Sequence, residues 1–107
     1  MVVVRRGDIW LTDLNPTLGN DITNRYAPTV SVLPLTSNLG GQKFPINILL
    51  KKEDSGLKKD SLVLCGQIRT ISKARLIRRL SKIKKEKFNE IERALSLYLG
   101  FRNFRIP

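Results

Sequence analysis

A chain of 107 residues with one cysteine and no histidine supports one domain, has no internal disulfide, and lacks the commonest acid–base residue and metal ligand. Its hydrophobic fraction of 41% is that of a folded protein. No apolar run reaches a membrane-spanning length and the opening Val2-Val3-Val4 is too short for a signal peptide, so a cytoplasmic protein without membrane attachment is expected.

Twenty Lys and Arg against nine Asp and Glu leave a net charge of +11, which calls for a polyanionic partner. Half of the basic residues crowd the stretch from Arg69 to Arg93, where a binding face explains the surplus better than solubility alone. Lipid fits least, because no basic segment carries the aromatic face of a membrane-surface helix.

In chain order, Ile9-Trp10-Leu11-Thr12 opens a first strand expected over 8–14, stopped by the Asn15-Pro16 turn signal. A busy loop through Asn24-Arg25-Tyr26-Ala27-Pro28 follows. A second strand begins at Thr29 and ends on the hydroxyls of Thr36 and Ser37 and the amide of Asn38; Pro34 predicts an edge or a bulge within it. Gly40-Gly41 opens a turn into a third strand with Phe44, Ile46, Ile48 and Leu50 on one face. A polar connection with Gly56 in a tight turn leads to a fourth strand from Ser61 to Ile71, interrupted at Gly66. Cys65 reads as a small core residue beside Leu62, Val63 and Leu64. Ser72 is placed to cap a short helical turn.

The stretch from Ile77 to Ile83 is ambiguous: Ile77, Leu80 and Ile83 suit a helix, and the β-branched ends suit a short strand. From Lys84 to Leu99 the period is helical, with Phe88, Ile91, Leu95 and Tyr98 on one side and Gly100 at the C-terminal cap. The expected organisation is one domain over 1–100 and a basic tail over 101–107.

Three blocks carry a family resemblance: RRGDIWLTDLNPTLG, NRYAPTVSVLPLTSN and LVLCGQIRTISKARL. Together they resemble the MazF/PemK-type toxins, small endoribonucleases of toxin–antitoxin systems. The resemblance implies a mainly β fold, an SH3-like twisted β-barrel with a C-terminal amphipathic helix, assembled as a homodimer. It implies a strand at Ile77–Ile83. It also implies cleavage of single-stranded RNA or mRNA at short sequences, with no metal or other cofactor, and an acidic antitoxin as partner. Such chemistry needs no histidine: the RNA's own 2′-hydroxyl attacks the adjacent phosphorus, and the enzyme positions it and stabilises the charge.

Carried over residue by residue, Thr36 matches the family's active-site threonine and Gln67 a glutamine of the RNA groove. Arg69, sharing a strand face with Gln67 by period two, is either a groove contact or the partner of a carboxylate. Ser37 and Asn38 are candidate RNA contacts beside Thr36. Trp10 reads as core before base-stacking platform.

The chain also departs from the pattern. Gly19 runs directly into Asn20, where family members carry a Gly-x-Arg-Pro loop and a further strand, so the family's principal catalytic arginine has no counterpart. Arg25 is the candidate substitute. Gly66 stands where some members have an acidic residue. The expected function is therefore a toxin endoribonuclease with impaired cleavage, and the alternative is an inactive relative that binds RNA or an antitoxin.

Overall fold

A computed structural model of the chain describes residues 3–14 and 28–101. The junction after Gly19, Arg25 and the basic tail beyond Phe101 lie outside the described residues. Among the described residues seven strands are present: β1 (Asp8–Thr12), β2 (Thr29–Val32), β3 (Leu35–Thr36), β4 (Asn47–Leu50), β5 (Ser61–Leu64), β6 (Arg69–Ser72) and β7 (Leu76–Lys82). One helical turn, α1 (Lys52–Ser55), follows β4, and α2 (Lys85–Leu99) follows β7. Single 3-10 turns occupy Leu39–Gly41, Cys65–Gln67 and Lys73–Arg75.

The expected barrel is not formed. The strands make three separate antiparallel sheets, β1–β7, β2–β6 and β3–β5–β4, and none of them closes. The physical reason lies in two interruptions that face each other. Pro34 lacks an N–H and splits the expected second strand into β2 and β3. Opposite it, the turn Cys65–Gln67 splits the expected fourth strand into β5 and β6. One hydrogen bond, from Leu64 N–H to Pro34 O at 2.9 Å, continues the ladder into the corner. Beyond it β2 pairs with β6, Val32 facing Arg69, while β3 pairs with β5, Thr36 facing Leu62.

Other boundaries shift for local reasons. The first strand ends at Thr12, not Leu14; there Asp13 N–H donates to Arg75 O at 2.9 Å and Arg75 Nη1 donates to Asp13 O at 3.1 Å. The third strand starts at Asn47, because Phe44 and Asn47 are held in successive turns whose N–H groups donate to Gly41 O and Phe44 O. Phe44 is consequently 53% exposed and not on the apolar face expected for it.

The ambiguous stretch is a strand, and its helix-like spacing has a definite origin. Between β1 and β7 the register slips twice: Ile9 pairs with Ser81 but Trp10 with Arg79, and Leu11 pairs with Arg78 but Thr12 with Leu76. Leu80 and Ile77 are the extra residues at these two bulges. A bulge every third residue imitates the i, i+3 step of a helix. Both side chains are pushed toward solvent, at 43% and 60% exposure.

The core lies where α2 crosses the three-stranded sheet. Leu50, Val63, Cys65, Ile91 and Ala94 are buried together, with Leu33, Leu35, Ile46, Ile48 and Ile83 packed against them. Burial pushes the Cys65 thiol up to about 11. The expected helix face is kept at Ile91 and Leu95, but Tyr98 is half exposed. Gly100 ends the helix at φ 78°, with the Phe101 N–H donating to Ser96 O.

Candidate nucleic-acid interface

Thr36 closes β3, the shortest strand, at the point where the chain leaves the sheet. It is half-buried, and its Oγ1 accepts the Asn38 N–H at 3.1 Å. Asn38 in turn caps the next turn, its Oδ1 accepting the Gly40 N–H at 2.9 Å. The hydroxyl is thereby held by its lone pair, leaving its own proton to donate outward. Ser37, between these residues, is exposed. Thr36, Ser37 and Asn38 thus form one small polar ledge at a strand end.

Gln67 and Arg69 are both exposed, but the period-two argument that joined them does not apply. Gln67 sits in the 3-10 turn and Arg69 begins β6, so the two do not share a strand. Arg69 pairs with Val32, four residues before Thr36 along the same chain. No ion pair with a carboxylate joins Arg69 among the described residues.

Of the basic stretch, Arg69, Arg78, Arg79, Lys82, Lys84, Lys85 and Arg93 are exposed, whereas Arg75 is buried at 9% exposure as a tether of the β1 end. Arg79 leans on Asp8, and Lys87 on Glu90 at 3.0 Å. Sequence reasoning missed the Asp8–Arg79 pair and the burial of Arg75; pairing of the first and last strands was the signal needed. Burial opposes charge on Asp8, but hydrogen bonds from Arg79 and the Arg5 N–H, with Arg79 and Lys82 nearby, hold its carboxyl below the usual aspartate range.

Gly66, half-buried in the turn beside Gln67, is not a close backbone contact. A β-carbon there would lie 3.5 Å from the Tyr98 ring and 3.6 Å from Ile46, ordinary packing distances. Trp10 is partly buried, and its Nε1 is buried without a hydrogen-bond partner among the described residues.

Residues 5–99 match the family model of the PemK-like, MazF-like toxins of type II toxin–antitoxin systems. A relative described as endoribonuclease MazF from Staphylococcus epidermidis is 36% identical over 115 residues, covering 95% of this chain and 96% of that protein. That matched stretch is longer than this whole chain of 107 residues, so the relative carries residues that this chain lacks. Among solved structures, an endoribonuclease from a mycobacterial species has a TM-score of 0.72 at 25% identity, covering 95% of this chain and 96% of that one. A mycobacterial endoribonuclease in complex with its cognate antitoxin has the same TM-score at 23% identity, covering 98% and 100%. The second likeness bears on the fold alone.

Proposed function

We propose, because this chain belongs to the PemK-like, MazF-like toxin family of type II toxin–antitoxin systems, that it is a toxin endoribonuclease acting on single-stranded RNA, held in check by an acidic antitoxin. The observation that carries this reading is the family match over nearly the whole chain, with 36% identity to an endoribonuclease across 95% of it.

The chemistry asks little of the protein beyond position and charge. The 2′-hydroxyl of the RNA gives its proton to solvent water as its oxygen bonds to the adjacent phosphorus, the bond from phosphorus to the 5′-oxygen of the next nucleotide breaks, and that oxygen takes up a proton from water. Thr36, its oxygen fixed by the Asn38 N–H, donates its hydroxyl proton to a phosphate oxygen as negative charge grows there. Ser37 and Asn38 supply further polar contacts at the same ledge. Gln67 and Arg69, both exposed, hold the RNA strand. The exposed basic residues of β7 and α2 add affinity that does not depend on sequence.

A second reading is favoured by one observation: the relative's matched stretch exceeds this chain in length. A chain shortened at the junction after Gly19 lacks the arginine of its family, and then binds RNA or an antitoxin without cutting. Incubating the purified protein with a long single-stranded RNA in EDTA and mapping the ends distinguishes the two. Cuts at a short recurring sequence that vanish in Thr36→Ala support the nuclease. Salt-sensitive binding with intact RNA supports the silent relative.

A further inference from the structure

Gly40 and Gly41 follow the Thr36 ledge, and neither has a positive φ, so backbone angles do not explain them. Space does. A β-carbon at Gly40 would lie 3.2 Å from Asn38 Oδ1, and one at Gly41 only 2.7 Å from Asn47 Nδ2. Both approaches belong to hydrogen bonds: the Gly40 N–H donates to Asn38 Oδ1 at 2.9 Å, and Asn47 Nδ2 donates to Gly41 O at 3.0 Å. The two glycines make room for two asparagine side chains, one gripping each end of the turn Leu39–Gly41.

Asn47 opens β4 and is fixed in the three-stranded sheet. It pairs with Leu64 of β5, while Thr36 pairs with Leu62 on the other side of the same strand. From Asn47 a series of bonds runs back to the Thr36 hydroxyl. Asn47 Nδ2 and the Phe44 N–H both donate to Gly41 O, and the Gln42 N–H closes the turn on Leu39 O. Gly40 then holds Asn38, and the Asn38 N–H donates to Thr36 Oγ1 at 3.1 Å.

We propose that Asn47 is a positioning residue: from β4 it holds the loop 37–46 so that the Thr36 hydroxyl keeps one direction toward the reacting phosphate. The proposal rests on the nuclease reading of Thr36. Asn47 is half-buried and commits its amide to Gly41, so it acts through the loop and not on the RNA. Without that bond the loop loosens and the hydroxyl loses its aim, a displacement of the kind that slows reactions by up to about a hundredfold. Affinity suffers far less, because the basic surface that attracts the RNA backbone does not depend on this loop.

Asn47→Ala should lower kcat for RNA cleavage about tenfold or more while KM changes less than about twofold, at a temperature where melting shows the variant folded. It should also speed exchange of the Asn38 amide, which is bonded to Thr36 Oγ1. Asn47→Asp keeps the shape but sets an acceptor against Gly41 O, and should behave like Asn47→Ala at neutral pH. Gly41→Ala drives a β-carbon into the Asn47 amide and should reproduce the loss. Beside Asn47→Ala it should cost nothing further, because the next nearest atoms, of Phe44 and Leu62, lie at 3.7 and 3.9 Å. Additive losses in the double variant, a higher KM at unchanged kcat, or faster Asn38 exchange without a fall in kcat overturns the proposal. A wild-type chain that cuts no RNA ends the nuclease reading by itself. The hold on Thr36 is then judged by Asn38 exchange, which is faster in Asn47→Ala if the proposal stands and unchanged if it falls.

Discussion

Arg79 reaches diagonally across the β1–β7 ribbon to Asp8, Nε to Oδ1 at 3.0 Å, although the two residues lie 71 positions apart in sequence. Arg79 is directly opposite Trp10 in the register, so it bonds to the residue two positions before its own partner. The side chain of Asp8 is 4% exposed and that of Arg79 50%. The first and last strands of the described residues are joined here by one shielded carboxylate.

Because the folded Asp8 pKa is held below its usual range, its contribution to stability has a defined sign. The contribution is complete above the unfolded aspartate value of about 3.9 and is lost as the pH falls through the lower folded value. Asp8→Asn should lower stability by about 1–2 kcal/mol at neutral pH. It should also flatten the acid limb of the stability profile. Denaturant unfolding of both proteins between acid and neutral pH measures this; parallel profiles would count against the pair.

Cys65 is wholly buried, with its thiol raised to about 11. The nucleophile is the thiolate, so the folded chain should resist iodoacetamide at mildly alkaline pH and label fully once unfolded. Mass spectrometry of the native and denatured reactions reads the difference. Rapid native labelling would mean that the core around Cys65 opens far more often than its packing implies.

Two glycines should answer oppositely to alanine. Gly66 has a negative φ and room for a β-carbon, so Gly66→Ala should be neutral or stabilise by about 0.4–1 kcal/mol through the unfolded chain. Gly100 has open space around it but sits at φ 78°, so Gly100→Ala should cost about 1 kcal/mol in backbone strain. Thermal melts of the two variants decide the matter, and the same sign for both would contradict the geometry.

At Thr36 the hydroxyl has two separable duties. Thr36→Ser keeps the oxygen that receives the Asn38 N–H and should retain both fold and any RNA cleavage. Thr36→Val keeps the shape but not the acceptor, and should destabilise by about 1 kcal/mol while abolishing cleavage. Comparing melting with end mapping for both variants separates the structural duty from the chemical one.

Lineage and candidate polar residues were readable without coordinates. The three sequence blocks point to the family, and local chemistry set the Ser72 and Gly100 caps, with Ser72 receiving the Ala74 N–H at 3.2 Å. The α2 pattern was equally legible, because the amphipathic period is a local property. Pairing is not local. Nothing in the stretch Leu76 to Lys82 reveals that β1 will oppose it with two bulges, so Ile77 and Leu80 imitate a helix until the partner strand is present.

The same distinction governs the site. Sequence by itself determined that a threonine and a glutamine matching the family pattern are present, and that the chain is strongly cationic, since +11 is a sum over residues. Tertiary structure alone decided that Pro34 and the Cys65–Gln67 turn meet at one corner and divide the sheet. It set Arg69 opposite Val32, buried Arg75, and left β1 and β2 lining one cleft. Each of those outcomes depends on which strand lies opposite which, and hydrogen-bond register joins residues that sequence holds far apart.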